Sequence, residues 1–219
     1  MFADDSTFLA TSKSITELKE TLGGVYTKIS QWFRANELCL NLKKTRVMAF
    51  YSKTELNLRL DGVPIEEIST KSQQKSVKLL GIEVDPWLTW SEHVQSLVSK
   101  LRSYLYGLRR IRYEVDEFVR LSYVKSYLMS SIQYGIEIWG GSSHFHLLEK
   151  IQKQAVRLIK AKAFVIHTSA LFREFKILPL SLILEQKERC MAFKYAEDGR
   201  FEETTSRRQQ DKGLVRLPL

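Results

Sequence analysis

Helix-period patterning from Ser91 onward is the feature that most constrains how this chain folds. Apolar residues recur there at steps of three and four, the spacing that returns side chains to one face of an α-helix. Strand signals are few between these runs. The pattern predicts helices over 91–112, 116–139, 143–162, 167–175 and 181–198. The second half of the chain is therefore predicted to be all-helical.

The first half reads as mixed α and β up to about residue 88. Ser14, with Glu17 three residues later, forms a capping box that predicts a helix reaching about Asn36. Gly23 and Gly24 inside it indicate a kink or a close helix crossing. The strand segments that we predict are 8–10, 38–41, 47–51, the two arms of a hairpin over 56–65, and 77–85. In the last of these, Gly81 indicates a β-bulge or a close approach by another group.

Together these patterns predict the α+β class, with a short antiparallel sheet and one helix followed by an all-helical region. The predicted boundaries are residues 1–90, residues 91–199 and a flexible polar tail over 200–219. At 219 residues the chain is long enough to bury a core as one domain or two small ones.

A formal net charge of +9 favours a polyanionic partner, most simply nucleic acid, although a basic protein without such a partner is an open alternative. Cys39 and Cys190 lie far apart in the sequence, which indicates buried thiols in a reducing, intracellular compartment. No apolar stretch approaches the length of a membrane span, so we predict no membrane partner.

Two adjacent carboxylates, Asp4 and Asp5, are candidate metal ligands. Side-by-side carboxylates repel each other and are stabilised by water, by a helix N-terminus or by a cation. A tight turn between strands can aim both at a pair of Mg²⁺ ions, the arrangement used for phosphoryl and nucleotidyl transfer. A solvated turn or a helix cap is the alternative interpretation.

Two basic clusters are candidate nucleic-acid contacts. In the helix after Ser143, apolar residues share one face, and a row of cations lines the opposite one. That row consists of Lys150, Lys153, Arg157 and Lys160. Such a row can bind a phosphate backbone, and this binding does not depend on the nucleotide sequence. The second cluster is Lys100, Arg102, Arg109, Arg110 and Arg112, interleaved with Tyr104, Tyr106 and Tyr113. These tyrosines either stack on bases or pack between helices, and Tyr134 and Trp139 are predicted to be core.

A longer series of motifs resembles a known family. It begins with Phe2-Ala3-Asp4-Asp5 and continues through Asn36-Glu37-Leu38-Cys39-Leu40-Asn41, Lys44-Thr45 and Leu79-Leu80-Gly81-Ile82-Glu83-Val84-Asp85. Farther on it includes Tyr134-Gly135-Ile136-Glu137-Ile138-Trp139-Gly140, Gln152-Lys153-Gln154-Ala155 and Ile177-Leu178-Pro179-Leu180. In this order the motifs resemble the reverse transcriptases of non-long-terminal-repeat retrotransposons of the Jockey and CR1-like lineages.

The resemblance implies a C-terminal part of the polymerase palm followed by the thumb. Asp4 and Asp5 would then be catalytic ligands of Mg²⁺, and Lys44 would assist the departing pyrophosphate, with a solvated basic loop as its alternative. Gly81 would lie in the primer-grip hairpin, where backbone approaches nucleic acid. Trp90 is predicted to be core, with a base-stacking platform as the alternative. The implied partners are an RNA template and an RNA–DNA or DNA duplex, and dNTP would be bound only by the intact enzyme. The implied location is the nucleus or the cytoplasm.

The family also places a further metal-binding aspartate on a strand upstream of the Asp pair. Because the sequence begins at Met1, we expect weak or absent Mg²⁺ binding and no polymerase activity from this chain alone. The chain is then a fragment of such a polymerase. Two alternatives are a stand-alone nucleic-acid-binding module and one half of a split enzyme that associates with an upstream fragment.

Overall fold

The computed structural model describes residues 6–52, 54–69, 71–72, 74–161 and 167–197. The chain divides into two compact units, Met1–Glu92 and His93–Leu219. Short strands and one long helix make up the described part of the first unit, and helices make up that of the second. The predicted α+β class with a helical C-terminal region is confirmed. The predicted tail over 200–219 lies outside the described residues.

The described residues of the first unit form one helix and six short strands. They are α1 (Ile15–Ala35), β1 (Arg46–Met48), β2 (Arg59–Leu60), β3 (Val63–Pro64), β4 (Glu66–Ile68), β5 (Val77–Leu79) and β6 (Ile82–Val84). They form three two-stranded sheets, with β1 parallel to β4, β2 antiparallel to β3, and β5 antiparallel to β6. A small core of Leu56, Leu60, Ile65, Ile68 and Ile82 lies within this unit.

Helix α1 begins as the capping box predicts. The Ser14 hydroxyl accepts a hydrogen bond from the Glu17 N–H at 3.2 Å, which satisfies one of the free donors of the first turn. The helix then continues through Gly23 and Gly24 to Ala35. The close crossing predicted at these glycines is wrong, because no described atom lies within 4 Å of the Cβ position of either.

Two hairpins turn on pairs of residues with positive φ. Asp61 and Gly62 have φ of 50° and 77°, and Leu80 and Gly81 have 47° and 87°. Positive φ at both central residues is the geometry of a type I′ turn, which matches the twist of a hairpin. The first hairpin was predicted. At Gly81 the alternatives were a β-bulge and a hairpin. The β-bulge is wrong, since Leu79 pairs directly with Ile82 across a two-residue hairpin turn.

Two other strand predictions are also wrong. Residues 8–10 and 38–41 have no strand pairing in the structure. Apolar runs of this length are compatible with a strand, but a strand also needs a neighbour to satisfy its backbone groups. At 38–41 the chain instead leads into a turn centred on Asn41.

Asp85 organises the loop that precedes the long helix of the second unit. Its buried carboxylate accepts hydrogen bonds from the N–H groups of Trp87, Thr89 and Trp90 at 3.1, 3.1 and 2.8 Å. These bonds satisfy the carboxylate and hold a loop in which Leu88 and Trp90 have positive φ. Trp90 itself is half-buried, so its predicted place in the core is realised only in part.

The helical elements follow in chain order. They are α2 (Ser91–Ile111), α3 (Glu117–Tyr123), a π-helical segment (Val124–Met129), α4 (Ser130–Gln133), α5 (Ile136–Trp139), α6 (Phe145–Ile159), α7 (Thr168–Glu174) and α8 (Leu180–Glu197). The predicted helix over 116–139 is thus interrupted. Gly135 has φ of 62°, the left-handed conformation that ends a helix, and α5 starts beyond it.

The core of the second unit is formed by apolar residues of α2, the π-helical segment, α4, α5, α6, α7 and α8. Trp139 is fully buried, as predicted. Tyr134 is 56% exposed, so its predicted place in the core is wrong. The helix break at Gly135 explains the difference, because residues before and after it no longer follow one helical face.

Candidate nucleic-acid interface

The predicted metal ligands Asp4 and Asp5 lie outside the described residues. Among the residues that the structure does describe, His, Cys, Asp and Glu side chains form no group of three or more that could hold a metal ion. The geometry of the candidate site therefore concerns Lys44, Gly81 and the two basic clusters.

Lys44 lies in a turn built on Asn41. The Asn41 side-chain oxygen accepts hydrogen bonds from the N–H groups of Lys43 and Lys44 at 3.1 and 3.3 Å, and its carbonyl accepts from Thr45 at 3.1 Å. An asparagine that bonds its own following backbone in this way orders a turn. The turn presents the Lys44 side chain to solvent immediately before β1.

Gly81 lies at the exposed tip of the β5–β6 hairpin. With φ of 87° it has a backbone conformation that residues with a Cβ rarely adopt. Its neighbours Leu79 and Leu80 are 39% and 52% exposed, so the tip presents both backbone and apolar side chains to solvent. Glycine is required here by the turn itself.

Helix α6 carries the predicted basic row on its outer face. Leu148, Ile151, Ala155 and Ile159 are buried on the inner face. Lys150 and Lys153 are exposed on the outer one, with Arg157 half-buried one turn farther on. The Arg157 Nε is buried and makes no hydrogen bond to any described residue. The three-and-four spacing therefore produces the two faces that the sequence indicates.

Lys160 differs from the rest of this row. Its ammonium group forms an ion pair with Glu174 and lies 3.5 Å from Glu117, and it also sits 5.7 Å above the ring of Phe175. The hydrogen bond to Glu174 is the main cause that raises the pKa of Lys160 above its ordinary value. Partial desolvation opposes this rise, and the charge of Glu117 adds to it. Lys160 therefore joins α3, α6 and α7 within the helical unit.

Helix α2 distributes the second basic cluster around several sides. Leu101 and Leu105 belong to the buried stripe of the helix. Each residue advances the helix by about 100°, so Lys100 and Arg102 project on opposite flanks of this stripe. Arg109 follows Arg102 two turns later, and Arg110 points directly away from the core. Arg112 comes after the helix end, with its guanidinium 4.4 Å from the ring centroid of Tyr113.

The three interleaved tyrosines have different environments. Tyr104 is half-buried, and its ring centroid lies 5.7 Å from that of Tyr127. The carbonyl of Tyr104 accepts a hydrogen bond from the Tyr123 hydroxyl at 3.2 Å. Burial raises the pKa of Tyr123, and electrostatic interaction with Tyr127 and Tyr104 adds to the rise. By contrast, Tyr106 and Tyr113 are 61% and 71% exposed. Tyr104 is thus a helix-packing residue, and the other two are not.

Two buried polar side chains that support the basic faces were missed in the sequence. Arg120 donates hydrogen bonds to the carbonyls of Ile159, Arg112 and Val115. Gln152 donates to the Leu178 carbonyl at 2.8 Å and accepts from the Leu180 N–H at 3.0 Å. Gln152 lies among Leu148, Ala155 and Val156 at helical spacing, and that polar interruption of an apolar face was the available signal. Arg120 has Asp116 and Glu117 at the same spacing, so no such signal marked it.

Comparison with known proteins identifies relatives among mobile elements. The chain is 27% identical to a probable RNA-directed DNA polymerase from transposon X-element of Drosophila melanogaster, over 80% of this chain and 20% of that protein. It is 24% identical to the RNA-directed DNA polymerase from mobile element jockey of the same organism, over 90% of this chain and 21% of that protein. The resemblance to non-long-terminal-repeat retrotransposon polymerases is confirmed.

A third relative extends the comparison to another insect. The retrovirus-related Pol polyprotein from type-1 retrotransposable element R1 of Nasonia vitripennis is 23% identical, over 63% of this chain and 42% of that protein. No family model and no solved structure matches the chain. The chain spans about a fifth of the length of the X-element and jockey polymerases.

The described helices also bear on the question of a membrane. None of them combines the length and the apolar composition that crossing a lipid bilayer requires.

Proposed function

We propose that this chain is part of a retrotransposon RNA-directed DNA polymerase and that its helical unit holds nucleic acid by the phosphate backbone. The observation that carries the proposal is the similarity to such polymerases over 63–90% of the chain in three relatives. In this proposal residues 1–90 correspond to the C-terminal part of the palm, and residues 91–199 to the thumb.

The outer face of α6 supplies the contact in this proposal. Lys150, Lys153 and Arg157 span seven residues, or about 10 Å along the helix axis. One strand of a duplex advances about 3.4 Å per nucleotide, so the row covers about three phosphates. Long, flexible lysine side chains adapt to that spacing, and they carry no sequence information. Lys160 is assigned a structural role in this proposal, because its charge is already paired with Glu117 and Glu174.

The palm residues have proposed roles in the same enzyme. Asp4 and Asp5 would hold Mg²⁺, which supplies electrostatic stabilisation of the phosphoryl group when it is bound. Carboxylates are the ligands that this ion prefers. The exposed ammonium of Lys44 would contact the pyrophosphate product, and the backbone at Gly81 would approach the primer. The partners proposed for this chain are an RNA template and an RNA–DNA or DNA duplex.

Charge reversal on α6 tests the proposal. We expect Lys150→Glu/Lys153→Glu to weaken binding of a blunt RNA–DNA duplex by about tenfold or more, because two phosphate contacts become repulsive. The slope of log K against log salt concentration should fall in magnitude by about 2. Fluorescence anisotropy across a salt series measures both quantities.

The matched control is Lys187→Glu/Lys194→Glu on α8. These lysines are also exposed, and the double substitution changes the net charge by the same amount. The proposal predicts that this control loses much less affinity than the α6 variant. Equal losses in the two variants would show that net charge alone governs binding, and the assignment of the α6 face would then be wrong.

A further inference from the structure

The solvent-facing side of α2 and the turn after it carry four arginine side chains and two exposed tyrosines. We define the Arg–Tyr stripe as Arg102, Tyr106, Arg109, Arg110, Arg112 and Tyr113. We propose that this stripe binds an unpaired nucleic-acid strand by stacking bases on Tyr106 and Tyr113. The inference rests on the proposed function, to which it adds a second surface for a different form of nucleic acid.

Helical spacing aligns the first part of the stripe. Arg102, Tyr106 and Arg110 are four residues apart, so they lie one above the other on successive turns. Tyr113 follows in the turn 112–115 that closes the helix, where the Val115 N–H bonds the Ile111 carbonyl at 3.2 Å. Tyr106 lies five residues before the end of α2 at Ile111, and Tyr113 lies two residues after it, so the two tyrosines are close in the chain. A short stretch of extended strand can contact both.

The exposure of the two rings indicates that they have a role outside the core. A tyrosine body is apolar, and tyrosines are on average intermediate in burial. Tyr104 follows that rule by packing on Tyr127, whereas Tyr106 and Tyr113 are 61% and 71% exposed. When a base stacks on an exposed aromatic ring, apolar surface of the ring is removed from contact with water, which favours binding.

Each exposed ring also has a guanidinium beside it. The Cζ of Arg110 is 6.0 Å from the ring centroid of Tyr106, and that of Arg112 is 4.4 Å from the centroid of Tyr113. Cation–π attraction holds each cation over a face of its ring. A base stacked on the ring would therefore bring its phosphate next to a positive charge.

This chemistry selects an unpaired strand over a duplex. In a duplex the base faces are covered by their neighbours, and only phosphates and groove edges are accessible. In a single strand the face of every base is free to stack on an aromatic ring, largely without regard to sequence. The stripe offers both rings and cations, whereas the segment of α6 from Lys150 to Arg157 has no aromatic side chain.

Base-dependent binding tests the inference. The probes are a ten-nucleotide oligo(A) RNA and an abasic oligonucleotide with the same number of phosphates. We expect Tyr106→Ala/Tyr113→Ala to weaken oligo(A) binding by about tenfold or more, since each stacked base contributes substantially to affinity. Binding of the abasic strand and of the blunt duplex should change by less than about twofold, because the phosphate contacts are kept.

Two controls sharpen the result. Tyr106→Phe/Tyr113→Phe retains the rings and should bind oligo(A) as the unchanged protein does. Tyr51→Ala removes a 59% exposed tyrosine from the other unit and should also leave binding unchanged. Full oligo(A) affinity in the Tyr106→Ala/Tyr113→Ala variant would overturn the inference. The inference would also be overturned if this variant lost affinity for the abasic strand by the same factor as for oligo(A).

The outcomes separate this inference from the proposed function. If duplex binding depends on Lys150 and Lys153 but oligo(A) binding is indifferent to Tyr106 and Tyr113, only the stripe is wrong. If the protein binds none of the three probes, the proposed function fails together with it.

Discussion

Arg120 is a buried cation whose charge is stabilised by backbone carbonyls. Its Nε donates to the Ile159 carbonyl at 2.6 Å, and its terminal nitrogen donates to the carbonyls of Arg112, at 2.7 Å, and Val115. These carbonyls lie at or just beyond the C-terminal ends of α2 and α6, where the helix dipoles are negative. One side chain therefore satisfies two acceptors at helix ends, the carbonyls of Ile159 and Arg112, and a third in the connection before α3, that of Val115.

Replacing this side chain tests its contribution to stability. We expect Arg120→Met to lower the free energy of unfolding by about 3 kcal/mol, because buried carbonyls lose their charged donor. Urea unfolding followed by circular dichroism measures the difference. Arg173→Met, on the exposed part of α7, is the control and should stay within about 0.5 kcal/mol of the unchanged protein. Similar stabilities for the two variants would contradict this account of Arg120.

At the scale of elements, α5 and α8 pack closely because Gly140 has no side chain. A Cβ at Gly140 would clash with the Leu184 side chain and would lie 2.5 Å from the Ile136 carbonyl oxygen. The adjacent Gly141 faces open space, with no described atom within 4 Å of its Cβ position. The two neighbouring glycines thus have different structural roles, which the sequence pair does not distinguish.

Alanine at each position provides a matched pair of variants. We expect Gly140→Ala to lower the free energy of unfolding by about 1–3 kcal/mol, since the extra methyl group overlaps the Ile136 carbonyl oxygen and displaces the Leu184 side chain. Gly141→Ala should have an effect within about 0.5 kcal/mol. Thermal unfolding of the two variants measures the contrast. If both substitutions prove equally tolerated, the close packing at Gly140 does not constrain the helices.

On the scale of the whole molecule, two helices of equal length differ in burial. Helices α1 and α2 each have 21 residues and an apolar face. None of the α1 residues is buried, whereas α2 buries seven, from His93 to Leu108. Since helices in proteins are stabilised mainly by packing of an apolar face, α1 opens locally at a lower free energy than α2.

Native-state hydrogen exchange measures this difference directly. After correction for intrinsic rates, we expect amides in the middle of α1 to exchange at least on the order of a hundredfold faster than those of α2. The equal length of the helices removes the effect of fraying ends. Comparable protection in both helices would mean that α1 is held by contacts that its exposure in this structure does not reveal.

The sequence by itself determined the type and order of the long elements. Helical periodicity and the cap at Ser14 are local properties, so α1, α2, α6 and the α+β order follow from residues near one another in the chain. The hairpin at Asp61-Gly62 was predictable for the same reason. At Gly81 the sequence left a β-bulge and a hairpin as alternatives, because periodicity does not reveal which residues pair across a turn.

Tertiary structure alone decided which predicted contact residues are available for binding. Lys160 and Lys153 look alike in the sequence, but Lys160 pairs with Glu174, 14 residues away. Tyr104 and Tyr106 are equally plausible from spacing, yet only Tyr104 packs against Tyr127. Arg120 bonds a carbonyl 39 residues away. Such partners are brought together by the packing of helices, and local patterns carry no information about distant neighbours.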